Sequence, residues 1–141
     1  MKRQIIMQRV GDRCRQIAIA NGYQTEIGLD TFYWHDLPLE YGKAGLVYRD
    51  VGEDYAQIGR THEMALHAEI EGLIFTDSPG VEGNKALGDI IRAIARDPTW
   101  GGLAYDSRLN KSSTVVETNG QTAVRVLVEF DVLYRVPLWQ P

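Results

Sequence analysis

The sequence predicts an α+β fold, a mostly antiparallel β-sheet with two α-helices packed on one face. Two segments repeat apolar residues at helical spacing, and two others alternate apolar with polar residues as half-buried strands do. Asn119-Gly120 is a strong signal for a tight β-hairpin, because both residues tolerate positive φ. The 141 residues fit one domain, so we expect residues 1–141 to fold as a single unit.

The first predicted helix spans residues 3–20 and ends at Asn21-Gly22, a common helix stop. Its apolar stripe contains Ile6, Val10, Cys14 and Ile17. Arg9 and Arg13 lie four residues apart and share a second, basic face of this helix. Two interpretations of that face stay open, a solvated surface and a contact with another subunit.

The middle of the chain is less regular. An aromatic cluster at residues 32–34 precedes Leu37-Pro38, and a short strand is predicted over residues 46–51. Residues 62–72 alternate with period two and predict a half-buried strand. A loop is expected over residues 76–83, followed by a second helix that Asn84 caps and Asp97-Pro98 ends.

The C-terminal part begins with a bend at Gly101-Gly102 and an expected loop over residues 106–113. The two strands around Asn119-Gly120 follow. The second of them places six apolar residues on one face: Val124, Val126, Val128, Phe130, Val132 and Tyr134. This face is predicted to lie under the helices.

Signals for catalysis are few. The sequence contains no phosphate-binding loop and no dinucleotide fingerprint, and Cys14 is expected to be a buried structural thiol. His62 and His67 are five residues apart on a strand, so they point to opposite faces and cannot share a metal ion. His35-Asp36 together with His62 leaves a small metal-dependent enzyme as an alternative function. Apart from that alternative, no enzyme activity, metal or cofactor is expected.

The charge of the chain disfavours one further class of function. The formal net charge of −4 disfavours a protein whose main role is binding nucleic acid, although the basic first helix keeps that alternative open. Residues 1–22 contain five basic residues and one acidic residue, so the acidic excess lies in the remainder. This uneven distribution favours head-to-tail contact between copies.

The start of the chain does not resemble a secretion signal and no stretch is a membrane span, so a cytoplasmic protein without membrane contact is expected.

Carboxylates are predicted to gather on the sheet face away from the helices. They are Glu63, Glu69, Glu71, Glu129 and Asp131. Like charges at such spacing are unfavourable unless something neutralises them. Four possibilities stay open: water, Arg125 and Arg135 of the same sheet, a divalent cation, or the arginine face of a neighbouring copy.

Over nearly the full chain, these features follow one another in the same order as in the members of one known family. The matching features are the helix ending at Asn21-Gly22-Tyr23, the aromatic stretch before Leu37-Pro38, the His62-Glu63-Met64 strand, the helix over residues 86–95 followed by Asp97, and the closing strand over residues 130–135. In these features the chain resembles the tail terminator family of long-tailed bacteriophages, also called tail completion or minor tail proteins, of which the phage lambda terminator is a member.

The resemblance implies a structural protein that forms a homohexameric ring, caps the tail tube, ends its polymerisation and offers the head-tail joining surface. The alternative within this class is another ring protein of the phage neck. The implied partners are further copies of the chain, the major tail tube protein and the head-tail connector protein. Genome DNA would pass through the ring without specific binding. The implied location is the tail-head junction of the virion, after assembly in the cytoplasm of a bacterial host.

Site residues follow from the resemblance together with the charge pattern. Subunit contacts are expected between the helix of one copy and the carboxylates of the next, with the participants Arg9, Arg13, Glu69, Glu71, Glu129 and Asp131. Tube or lumen contacts are expected from the two loops, at Asp77, Ser78, Glu82, Arg108 and Lys111. Because Arg108 and Lys111 make the second loop positive, the sequence leaves open whether the charge on the wall of the ring's central channel is negative or positive.

Overall fold

A computed structural model describes residues 1–34, 44–118 and 120–141 of the chain. Its main elements, in chain order, are α1 (Lys2–Arg15), β1 (Thr31–Tyr33), β2 (Gly45–Ile58), β3 (Thr61–Phe75), α2 (Pro79–Ala95), β4 (Asp106–Thr118) and β5 (Thr122–Pro137). The strands form one sheet in the order β1-β2-β3-β5-β4. Within it β1 runs parallel to β2, and every other neighbouring pair is antiparallel. The predicted α+β class is confirmed.

Alternation along β3 and β5 gives the sheet two different faces. We call the face that packs against α1 and α2 the covered face, and the opposite one the open face. On the covered face the six predicted apolar side chains of β5 are almost fully buried: Val124, Val126, Val128, Phe130, Val132 and Tyr134. They join a single hydrophobic cluster with buried residues of α1, α2 and β3. The open face contains charged, mostly half-buried side chains, including those of Glu69, Glu71 and Arg125.

The first helix is shorter than predicted. α1 ends at Arg15, and a separate 3₁₀ turn over Ile19–Asn21 follows it, so a single helix over residues 3–20 is wrong. Ala18 has extended backbone (φ −150°, ψ 153°), which interrupts the helix between the two pieces. Gly22 ends the 3₁₀ turn with φ 87°, a left-handed conformation that glycine adopts at little cost.

The second helix begins earlier than predicted. α2 starts at Pro79, so the expected loop over residues 76–83 and the Asn84 cap are wrong. Proline suits a helix start because its φ is already helical and its missing N–H has no partner there. Glu82 therefore lies in the first turn of α2, where its carboxylate is 3.3 Å from Lys85 Nζ. Asp77 and Ser78 stay in the exposed segment before the helix.

The second predicted loop is a strand. Residues 106–113 belong to β4, which pairs with β5 along its whole length, so Arg108 and Lys111 are strand residues. A shift of register between Leu109 and Lys111 marks a bulge in this edge strand. The hairpin between β4 and β5 is confirmed by the pairing of Thr118 with Thr122. Asn119 of its turn, like residues 35–43 with Leu37-Pro38, lies outside the described residues.

β2 and β3 form a long hairpin that extends past the predicted strand over residues 46–51. Ile58 pairs with Thr61 across a turn at Gly59 and Arg60. This turn, the adjoining ends of β2 and β3 and the last residues of the chain form what we call the hairpin end of the sheet. The opposite end lies near Gly72, which has Ile27 packed against it.

Candidate functional site

Arginines of the sheet neutralise most of the carboxylates on the open face. Arg49 Nη1 lies 3.0 Å from Glu69 Oε1 and 3.5 Å from Glu71 Oε2. Arg125 lies 2.8 Å from Glu71 and 2.7 Å from Glu117. Of the possibilities left open by the sequence, Arg125 of the same sheet therefore neutralises Glu71, whereas the partner of Glu69 is Arg49, which was not among them. These two residues, expected at a subunit contact, already have intramolecular partners.

Arg135 and Glu63 form a further ion pair on this face, at 2.5 Å. The Tyr105 hydroxyl donates to the same carboxylate at 2.9 Å, and the Arg135 guanidinium lies 4.4 Å from the centre of the Tyr105 ring. Hydrogen bonds from Arg135 and Tyr105 lower the pKa of Glu63 below its usual value. The carboxylate of Glu63 thus also has its charge and hydrogen-bond partners within the chain.

Asp131 is buried, and its carboxylate contacts three other side chains. It is 2% exposed, and its carboxylate interacts with His67 Nδ1 at 2.6 Å, Arg108 Nη2 at 2.8 Å and Asn110 Nδ2 at 2.8 Å. Burial tends to raise the pKa of Asp131, but the hydrogen bonds from Arg108, His67 and Asn110 outweigh it and lower the pKa. Burial and these three partners favour a structural role for Asp131. Its subunit contact and the tube or lumen contact of Arg108, which is 58% exposed while bound to Asp131, stay predictions.

His67 joins two strands through two carboxylates. Its Nδ1 faces Asp131 and its Nε2 lies 2.9 Å from Asp54 Oδ2 on β2. Hydrogen bonding to Asp131 first, and to Asp54 second, raises the pKa of His67 above its ordinary value. His67 and His62 lie on opposite faces as predicted, since His62 lines a recess with Met64 of the covered face.

We expect the stability contributed by His67 to fall as the pH rises. Because the pKa of His67 is higher in the folded chain than the unfolded value of about 6.5, the contribution is complete below about pH 6.5 and is lost as pH rises through the folded pKa. Thermal midpoints measured from about pH 5.5 to 8.5 should decline less steeply in His67→Gln than in the native protein. His62→Gln is the matched control and should keep the native slope; equal slopes in all three proteins would contradict the assignment.

Arg13 is held inside its own chain. Its guanidinium stacks over the Trp100 ring at 4.0 Å from the ring centre. It donates to the backbone carbonyl of Asp97 at 2.6 Å and to the last carbonyls of α2 at 3.3 and 3.4 Å. Arg13 therefore caps the C-terminal end of α2, a position that favours a cation. Arg13 lies one turn from Arg9 as predicted, and its subunit contact stays a prediction.

Two of the six predicted contact residues have no partner for their charged groups in the described part of the chain. They are Arg9 on α1, which is exposed, and Glu129 on β5, which is half-buried on the open face. Glu129 lies directly opposite Glu69 in the strand register, and Lys111 is the residue opposite it on β4. Among the described residues, no ion pair joins Lys111 to Glu129.

A separate apolar recess of about 500 Å³ lies at the hairpin end. The His62 ring meets the Trp139 ring edge-on there, with centroids 5.1 Å apart. Trp139 is 80% exposed, and Tyr55 is 64% exposed. The sequence-based predictions do not include this surface, because a β2 strand that ends at residue 51 excludes Tyr55; the turn residue Gly59, two residues before β3 begins, was the available signal. The recess is lined mainly by Tyr55, His62, Met64, Val136 and Trp139.

The described residues provide no ligand cluster for the metal-dependent alternative. Within residues 1–34, 44–118 and 120–141, no group of three histidine, cysteine, aspartate or glutamate side chains is arranged to hold a metal ion. His35 and Asp36 lie outside the described residues. Cys14 is buried, and burial raises the pKa of its thiol to about 12, as suits a structural cysteine. No helix in the described part of the chain is long and apolar enough to cross a membrane.

Comparison with known proteins found no family model and no curated protein that matches this chain.

Proposed function

We propose that this protein is a bacteriophage tail terminator: a structural protein, not an enzyme, that assembles as a homohexameric ring on the tail tube. In this role it stops polymerisation of the tube and offers the joining surface for the head-tail connector. It acts at the tail-head junction of the virion, and genome DNA passes through the ring without specific binding.

The observation that supports this proposal most is the apolar surface at the hairpin end. Tyr55 and Trp139 are each more than half exposed there, in a recess whose described lining residues include no acidic, lysine or arginine side chain. Exposed apolar surface around a recess is typical of a site that binds another molecule, and a protein contact is one such site. The charged open face is a second, chemically different surface on the same chain. A head-to-tail ring that also caps a tube needs surfaces of several kinds on each subunit.

The decisive experiment measures growth of purified tail tubes. We expect added protein to stop elongation of the major tail tube protein, and negative-stain images to show a ring at one end of each capped tube. Tubes that keep elongating at the control rate, with no ring at either end, would overturn the proposal. Head connectors should join capped tubes only, which distinguishes a terminator from a neck protein that binds connectors alone.

Two exposed residues provide a matched test of the recess. Tyr55→Asp should abolish tube capping, because it places a charge in the apolar lining that we assign to the tube. Leu29→Asp is the control, since Leu29 is 63% exposed against 64% for Tyr55 and lies two residues after Ile27, which packs on Gly72 at the opposite end of the sheet. Capping is scored by tube length after circular dichroism has shown that both variants are folded. Equal capping by both variants would show that the tube binds elsewhere.

A further inference from the structure

The exposed guanidinium of Arg9 is positioned but has no counter-ion in the described part of its own chain. Its Nη1 lies 2.6 Å from the position that a Cβ on Gly101 would occupy, so the glycine leaves room for the guanidinium against the backbone. Arg9 borders a recess of about 200 Å³ together with Asp12, Asp97 and Gln16. Asp12 is already paired with Arg15, and Asp97 lies 3.8 Å from Arg13. The positive charge of Arg9 is therefore in excess at this recess.

Glu129 is the complementary case on the other side of the sheet. It is half-buried, faces Glu69 directly across the strand pair, and forms no ion pair within the described residues. Like charges directly opposite each other destabilise a sheet, so a cation near Glu129 is favoured. Other carboxylates also lack an ion pair in the described part of the chain. Asp30, Asp77, Asp106 and Glu26 are exposed to water, and the buried Asp89 accepts hydrogen bonds from Gln24 and Thr25. Glu129 is thus the carboxylate for which an external cation matters most.

The fold prevents these two groups from meeting within one chain. Arg9 lies in the helix layer above the covered face, whereas Glu129 projects from the open face, and the hydrophobic core and the sheet separate them. A contact between them requires a second copy of the chain. Because the two surfaces differ, the contact is head-to-tail and can be repeated from copy to copy, as a ring requires.

We propose that Arg9 of one subunit binds Glu129 of the next subunit, with the helix layer of one copy seated on the open face of its neighbour. This inference rests on the proposed function, because it supplies the subunit contact of the ring. It retains two of the six contact residues that the sequence predicts, those whose charges are not already paired. In this contact the guanidinium of Arg9 donates to the carboxylate of Glu129, and the two form a charge-assisted hydrogen bond.

Reciprocal charge reversal tests the contact. Arg9→Glu and Glu129→Arg should each weaken subunit association about tenfold or more, because each sets two like charges against each other at every junction. In a mixture of equal amounts, a ring in which the two variants alternate has only opposite charges at its junctions. Every second junction is the native pair, and the others have the same two charges exchanged between the positions. We therefore expect the mixture to form rings that neither variant forms alone.

Two readouts measure this assembly. Light scattering gives the mass of each variant and of the mixture, and negative-stain images count the rings on purified tubes. Circular dichroism shows first that both variants are folded. Failure of the mixture of folded variants to assemble would overturn the contact.

Two further variants serve as controls. Asp30→Arg reverses an exposed aspartate just before β1 that has no ion pair within the described residues, and it should form normal rings. Lys111→Glu tests whether the residue opposite Glu129 is its true counter-ion; normal ring formation is expected. A ring lost in Lys111→Glu and kept in Arg9→Glu would contradict the proposed contact.

The outcomes separate the contact from the function. If the native chain forms rings that cap tubes and both single reversals do so equally well, the Arg9–Glu129 contact is wrong while the terminator function stands. If the native chain forms no ring, free or on tubes, and does not cap, both proposals fail.

Discussion

Trp100→Ala is expected to lower the free energy of unfolding by about 4 kcal/mol. Trp100 is 1% exposed and follows α2 in the loop that returns to the sheet. Its ring packs on Phe130 with centroids 6.1 Å apart, and the Arg13 guanidinium covers its other side. Its Nε1 donates to Ser107 Oγ at 2.8 Å. Truncation removes all of these contacts and leaves a cavity that the surrounding strands cannot close.

Urea unfolding followed by circular dichroism measures this loss. Trp139→Ala is the matched control, because Trp139 is 80% exposed, and its effect on the free energy of unfolding should stay within about 0.5 kcal/mol. Trp100→Phe should recover part of the stability, since it restores aromatic packing on Phe130 without the hydrogen bond to Ser107. Similar losses in the two alanine variants would mean that Trp100 does not anchor the loop.

The parts of the fold that the sequence predicts well are those buried on one face only. β5 and β3 alternate over most of their length because one side of each strand meets the core and the other meets the open face. β4 has no such alternation. It is an edge strand with most residues exposed, so neither face selects apolar side chains, and its polar sequence at residues 106–113 has the character of a loop. Pairing with β5, which is a long-range effect, determines that it is a strand.

The start of α2 escapes sequence-based prediction for a different reason. Asp77, Ser78, Pro79 and Gly80 have the composition of a turn, and local composition alone favours a loop. In the folded chain Gly83 lies against Val124, close enough that a Cβ at this position would be 2.9 Å from a Val124 methyl group. Packing on β5 thus extends the helix through residues of low helix propensity.

The charged residues show a similar limit. The gathering of Glu69, Glu71 and Glu129 on one face follows from alternation, and the structure confirms it. Their partners depend on strand register, which bulges alter between Asp50 and Gly52 and between Leu109 and Lys111. A shift of one residue moves a side chain to the other face, so neither Arg49 nor Glu117 could be assigned as a partner from the sequence.

Asp89→Ala should cost about 3 kcal/mol of unfolding free energy, because it leaves buried donors without an acceptor. Asp89 of α2 is fully buried. Its carboxylate accepts from the backbone N–H of Gln24 at 3.0 Å, and from the backbone N–H and the hydroxyl of Thr25 at 2.8 and 2.7 Å. The three bonds fix the segment after α1 against α2. The loss is measured by urea unfolding.

Hydrogen exchange distinguishes this local role from a general loss of stability. In Asp89→Ala the amides of Gln24 and Thr25 should exchange much faster than in the native protein, by more than the global loss accounts for, since their acceptor is gone. Asp77→Ala, which changes an exposed aspartate just before α2, should leave both amides protected and stability within about 0.5 kcal/mol of native. If the two amides stay protected in Asp89→Ala, the carboxylate is not their acceptor in solution. The attachment of this segment to α2 must then come from other contacts, such as the hydrogen bond from Arg92 Nη1 to the Gly22 carbonyl at 3.1 Å and the Arg92 guanidinium over the Tyr23 ring at 5.1 Å.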